Sequence, residues 1–169
     1  NIYIKNAIEK GAKAIITEAD LNEKFEGVEI IKVENIRKVM ADMSSYFYDN
    51  PSSKIKVIGI TGTNGKTTIS YLIRAILIEA GYKCGLIGTI EYITNKGKQQ
   101  SAKLTTPDSI EINQLLSDMV NNKMDFCVME ASSIALLNYR VHRILFDVAI
   151  FTNLTSEHMD LHLNMENYL

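Results

Sequence analysis

Charge of one sign, long apolar runs and cysteine are all scarce in this chain of 169 residues. Its 18 Lys and Arg against 20 Asp and Glu leave a formal net charge of -2. That balance gives no electrostatic case for a nucleic-acid partner, which calls for a basic face. The apolar runs fall far short of the ~20 residues of a membrane span, so no membrane insertion is expected. No signal segment is visible, and the sequence opens at Asn1 rather than Met, so a preceding stretch is expected. Cys84 and Cys127 each lie in an apolar, strand-like segment. They are expected as buried free thiols of a reducing cytoplasm, not as a disulfide or a metal site. Internal repeats and low-complexity tracts are absent. What remains, 46% hydrophobic and 22% charged, is the composition of an ordinary globular protein with one good core or two small ones.

Helical and strand-like patterns alternate along the chain. Residues 3–10 read as a helix, Ala14-Ile15-Ile16-Thr17 as a short strand and 28–33 as a second strand. Ile36, Val39, Met40, Met43 and Phe47 then recur at helical spacing until Asn50-Pro51-Ser52-Ser53 breaks the pattern. A domain boundary is expected there, giving units 1–53 and 54–169. The second unit opens with a strand over 55–61. A helix follows from Thr67 to Ala80, with Ile69, Leu72, Ile73, Ile76, Leu77 and Ala80 as its buried face and Gly81 at its end. One strand is expected near 84–93, and a mobile loop or hairpin tip over 95–103. Thr106-Pro107 reads as N-cap and first residue of a helix whose apolar face is Ile112, Leu115, Leu116, Met119 and Val120. Strands at 125–130 and 146–152 complete an α/β fold with a largely parallel sheet covered on both faces.

The segment Gly62-Thr63-Asn64-Gly65-Lys66-Thr67-Thr68 joins an apolar strand to an amphipathic helix. Backbone amides of such a turn and a helix N-terminus cradle phosphate oxygens, a lysine adds charge, and the next hydroxyl can ligate Mg²⁺. Ile60 stands where the general pattern has its first glycine, so a plain Gly-rich turn is the competing reading. Ligands of open α/β sheets bind at strand carboxyl ends. Two more polar clusters belong there: Glu130-Ala131-Ser132-Ser133, and Thr152-Asn153-Leu154-Thr155-Ser156-Glu157-His158. If the strands are parallel neighbours, all three clusters share one rim. Glu130 is a candidate Mg²⁺ partner or a solvated strand end. His158 and His162 lack the glutamate that a metalloprotease helix carries after its first His, and a lone His is more often structural. Arg140 is a phosphate or carboxylate clamp or a surface charge, and Thr105-Thr106-Pro107 a substrate contact or a helix cap.

In combination these residues resemble the Mur ligases. Thr61-Gly62-Thr63-Asn64-Gly65-Lys66-Thr67-Thr68 looks like their ATP loop, whose glycine spacing departs from the general pattern in the same way. Leu104-Thr105-Thr106-Pro107, Met129-Glu130-Ala131-Ser132-Ser133 and the segment from Phe151 to Asp160 continue the match in order. The resemblance is strongest from 57 to 168, and leans to the branch that extends UDP-N-acetylmuramoyl-L-alanyl-D-glutamate by a third residue. It implies a three-layer α/β central domain of phosphate-loop ATPase type, preceded by part of a small α/β N-terminal domain. It also implies roles: Gly62, Thr63, Asn64, Gly65, Lys66, Thr67 and Thr68 on ATP, with Lys66 catalytic; Thr67, Glu130 and His158 on Mg²⁺; Thr105, Thr106, Ser132, Asn138 and Arg140 on the muramoyl-dipeptide. Asn138 stands where the family usually has Gln, Ile134 where it has His, and Leu104 where it often has a polar residue.

The implied chemistry is ATP-dependent amide ligation through an acyl phosphate, with a diamino acid, diaminopimelate or lysine, as the second substrate. A cytoplasmic monomer is expected. The chain is expected to start inside the uridine-nucleotide domain and stop inside the ATPase domain, short of a carbamylated lysine and a C-terminal domain. Alone it is expected to bind nucleotide weakly and not to ligate. A folylpolyglutamate or cyanophycin-type ligase is the nearest rival. A phosphate-loop NTPase whose cycle drives binding, and an inactive truncated copy, stand beside it.

Overall fold

The computed structural model describes residues 2–21, 23–95 and 98–155. In chain order the elements are α1 (Ile2–Glu9), β1 (Ala14–Thr17), β2 (Glu29–Lys32), α2 (Ile36–Phe47), a 3₁₀ turn (Pro51–Ser53), β3 (Lys56–Thr61), α3 (Lys66–Glu79), β4 (Cys84–Ile87), β5 (Glu91–Asn95), β6 (Lys98–Ser101), α4 (Ser109–Asn121), β7 (Phe126–Glu130), α5 (Ser133–Leu137) and β8 (Val148–Phe151). β1 and β2 pair in parallel as a separate small sheet. The main sheet has the order β6-β5-β4-β7-β3-β8. Its four strands from β4 to β8 run parallel, and the β5–β6 hairpin adds two antiparallel strands at one edge.

Alternation along the central strands sends successive side chains to opposite faces. On one face Val57, Ile87, Tyr92, Cys127 and Met129 meet Ile112, Leu115, Leu116 and Met119 of α4. On the other, Ile58, Ile60, Leu86, Ile93 and Val128 meet Ile69, Ile73 and Leu77 of α3. The result is the expected three-layer arrangement. Glycine lets the layers close. A Cβ on Gly85 would lie 2.6 Å from Met119 Sδ, and one on Gly59 2.6 Å from the Phe146 ring. α2 lies on α4, where Ser44 Oγ donates to Ser109 O at 3.0 Å. Asp42 on the same helix pairs with Arg143 at 2.5 Å, and this hydrogen bond holds its carboxyl below the usual range. Among the described residues no helix is long and apolar enough to cross a membrane.

The structure departs from sequence expectation at three places. The single strand near 84–93 is two strands, β4 and β5, turned about Gly88, whose amide donates to Glu91 O at 3.3 Å. Over 95–103, of the two expected readings, the structure has the hairpin, formed by β5 and β6. The N-cap of α4 is Asp108, whose carboxylate accepts from the Ile110 and Glu111 amides, and not Thr106. Finally, α3 is rotated from its most apolar face. Leu72 and Ile76 are 58% and 66% exposed, while Ser70 is fully buried. The reason lies in the site below, where Ser70 has a polar partner.

Cys84 and Cys127 are both buried and reduced. They sit in opposite layers, so they cannot bridge. Burial pushes the Cys84 thiol up to about 11 and raises that of Cys127 as well. Neither is expected to react with an aromatic disulfide reagent at pH 8 until the chain is unfolded, which thiol titration with and without denaturant checks. Leu116→Ala, at a fully buried position, is expected to cost about 2–5 kcal/mol in urea unfolding. Ile76→Ala is expected to change stability by less than about 0.5 kcal/mol.

Candidate functional site

β7, β3 and β8 are adjacent and parallel, so the connections leaving their carboxyl ends share one rim, as the three polar clusters require. The central connection is the glycine loop. Gly62 has φ +125°, and a Cβ there would lie 2.2 Å from Thr152 Oγ1. Gly65 has φ +87° and precedes α3, whose start no side chain caps. The first-turn amides of α3 are therefore left for an anion. Lys66 arches back over the loop, its Nζ donating to Gly62 O at 2.6 Å and to Thr63 O at 2.9 Å.

Beside the loop, Glu130 ends β7 with no solvent exposure. Its Oε2 accepts from Thr67 Oγ1 at 3.0 Å and Thr89 Oγ1 at 2.8 Å. Its Oε1 accepts from Ser70 Oγ at 3.3 Å and the Thr89 amide at 3.2 Å. A Cβ on Gly88 would stand 2.4 Å from that Oε1, so any other residue in the β4–β5 turn would have to displace the carboxylate. Among the described residues no Lys or Arg pairs with this carboxylate. A buried carboxylate held by neutral donors alone, beside a threonine hydroxyl, is an all-oxygen donor set that suits Mg²⁺ completed by phosphates. No group of three or more His, Cys, Asp and Glu side chains gathers among the described residues. His158 lies outside them.

The loop and this corner enclose a cavity of about 260 Å³ lined by residues 63–68, Thr89 and Thr105. Thr89 Oγ1 lies 3.1 Å from Thr105 Oγ1 and 3.4 Å from Thr67 Oγ1, a line of hydroxyls from the loop to the far wall. A larger cavity of about 570 Å³ opens at the amino ends of the strands. Its charges are already satisfied: Lys56 pairs with Asp147, holding that carboxyl below the usual range, and Asp125 accepts from the Lys83 amide.

The remaining sequence candidates form the wall next to Thr105. Thr106 is 1% exposed, and its hydroxyl is committed, donating to Glu130 O at 2.8 Å and accepting from the Ser132 amide at 3.0 Å. Arg140 Nη1 donates to Thr106 O at 2.8 Å. Ser132 caps α5 through the Ala135 amide, and Asn138 at its other end donates to Ile134 O at 2.9 Å. Thr105, Thr106, Glu130, Ser132 and Arg140 are thus brought together. Asn138 joins them only through α5.

Thr89 and Ser70 were missed in the sequence. Reading 84–93 as one strand put Thr89 in mid-strand, whereas it follows the carboxyl end of β4. A lone serine on the apolar side of α3 was the available signal for Ser70.

Residues 60–169 match the family described as Mur ligase middle domain. A UDP-N-acetylmuramoyl-L-alanyl-D-glutamate--2,6-diaminopimelate ligase of Clostridium botulinum is 53% identical over 169 residues, covering 98% of this chain and 35% of its own length. A solved UDP-N-acetylmuramoyl-L-alanyl-D-glutamate--2,6-diaminopimelate ligase superposes with TM-score 0.80 at 25% identity, over 99% of this chain and 33% of its own. The MurF ligase of Thermotoga maritima in complex with ADP shares the fold, with TM-score 0.57 at 22% identity over 99% of this chain and 34% of its own. The chain thus spans about a third of the length of the curated relatives it matches. It belongs to the Mur ligase family, with residues 60–169 in the middle domain.

Proposed function

We propose that this chain is the nucleotide-binding part of an ATP-dependent ligase that joins 2,6-diaminopimelate to UDP-N-acetylmuramoyl-L-alanyl-D-glutamate in the cytoplasm. The observation that carries this reading is the buried Glu130 carboxylate, 3.0 Å from the hydroxyl of the threonine that follows the loop lysine. The relatives' names supply the substrates. Residues 1–53 are assigned to the C-terminal part of a uridine-nucleotide domain and 54–169 to the ATPase domain.

Phosphoryl transfer needs little covalent chemistry from protein; it needs alignment and charge neutralisation. The first-turn amides of α3 hold phosphate oxygens, and Lys66 turns from its own loop carbonyls to the terminal phosphates. Thr67 and Glu130 would hold Mg²⁺, with His158 as a third ligand. Bound there, Mg²⁺ would neutralise charge on the phosphate oxygens. The cavity wall at Thr105, with Ser132 and Arg140 behind it, orients the acceptor. Its γ-carboxylate oxygen attacks the γ-phosphorus of ATP as the bond to ADP breaks, giving an acyl phosphate. The incoming amine attacks the acyl carbon, inorganic phosphate leaves and the amine loses a proton. No protein nucleophile takes part.

In the full-length protein, Lys66→Ala is expected to lower acceptor-dependent ADP release by about 10²–10³-fold or more. Unchanged release, or release indifferent to the muramoyl dipeptide, would overturn the assignment. Thr89→Val removes one donor to Glu130 and is expected to raise the Mg²⁺ concentration for half-maximal activity about tenfold or more. Thr89→Ser should restore it, and Mn²⁺ titration followed by electron paramagnetic resonance should show the same order.

A further inference from the structure

The phosphate loop and the segment after β8 form one hydrogen-bonded unit. The Thr152 amide donates to Thr61 O at 3.0 Å, and the Thr63 amide to Asn153 O at 2.9 Å. The Asn153 side chain then meets both backbone groups of Asn64. Its Oδ1 accepts from the Asn64 amide at 3.1 Å, and its Nδ2 donates to Asn64 O at 2.9 Å. Thr152 Oγ1 donates to the same carbonyl at 2.7 Å. The Thr155 amide donates to Thr63 Oγ1 at 3.0 Å.

A carboxamide carries a donor and an acceptor side by side, which lets one side chain imitate a backbone partner. Asn153 uses this to carry the β3–β8 contact past the last strand pair, Thr61 with Phe151, as far as the loop tip at Asn64. Gly62 makes room for it: a Cβ there would also lie 2.8 Å from Asn153 O. The amides of Thr63 and Asn64 therefore both point to Asn153 acceptors.

We infer that Asn153 is a positioning residue for the nucleotide: it clamps the loop tip at Asn64 and leaves the amides of residues 65–68, with Lys66, as the phosphate cradle. The inference rests on the nucleotide reading above and narrows it. Amides 63 and 64 serve the clamp, so the cradle begins at Gly65.

The test uses the full-length protein. Asn153→Ala is expected to bind Mg·ADP about tenfold more weakly by isothermal titration calorimetry. It should raise the KM for ATP in proportion while the acceptor KM and the melting temperature stay near wild type. Thr152→Val removes one bond to Asn64 and should give a smaller loss, about threefold. Without nucleotide, both variants should speed hydrogen–deuterium exchange in the 62–65 segment. Wild-type binding and exchange in Asn153→Ala would overturn the clamp. If that variant fails to fold, Thr152→Val decides by the same two readouts. If the wild-type protein binds no nucleotide, the nucleotide reading fails, and exchange alone still decides whether Asn153 holds the loop.

Discussion

A carboxylate with no solvent exposure at the end of a central strand must be met by donors or by a cation. Glu130 is that group. Its hydroxyl partners on α3 and the β4–β5 turn explain features that otherwise look like defects. Ser70 occupies a fully buried helix position at the expense of Leu72 and Ile76, which face outward. Gly88 leaves room for the carboxylate, since a Cβ there would displace Glu130 Oε1. Thr67 and Thr89 converge from different elements on the same oxygen, Oε2.

Around that corner, each strand end does a different job. The end of β3 supplies the loop and the uncapped start of α3. The end of β7 supplies Glu130 and, through the Ser132 amide and Thr106 hydroxyl, anchors the wall that carries Thr105. The end of β8 supplies Thr152 and Asn153, which shape the loop from the side opposite Glu130. The parallel order β7-β3-β8 makes this division possible, because it puts all three ends on one rim. The Thr106 hydroxyl links Glu130 O to Ser132, so the wall is tied to the backbone of the residue that carries the carboxylate.

Much of this was legible in the sequence. The strand-turn-helix pattern around Gly62 to Thr68, the apolar runs of β3 and β7, and the amphipathic face of α4 are local signals that packing did not override. The errors have physical causes. Leu72 and Ile76 follow the helical period, yet α3 turns Ser70 toward Glu130 on the sheet face it covers, a contact between residues 60 apart that no local pattern records. The β4–β5 turn is hidden because apolar residues flank Gly88 on both sides. Thr106 reads as a helix cap because it precedes Pro107, but the carboxylate of Asp108 competes better for the free amides. Asn153 was visible as part of a polar cluster, though its pairing with Asn64 is a contact between residues 89 apart in sequence.

The central claim is that this rim passes a phosphoryl group from ATP to a substrate carboxylate. The fate of the carboxylate oxygen tests it most directly. Full-length protein would be supplied with ATP, diaminopimelate and UDP-N-acetylmuramoyl-L-alanyl-D-glutamate labelled with ¹⁸O in the γ-carboxylate. Mass analysis of the inorganic phosphate is expected to show one ¹⁸O transferred for each ADP formed. Unlabelled phosphate at the same extent of ADP formation would contradict the account.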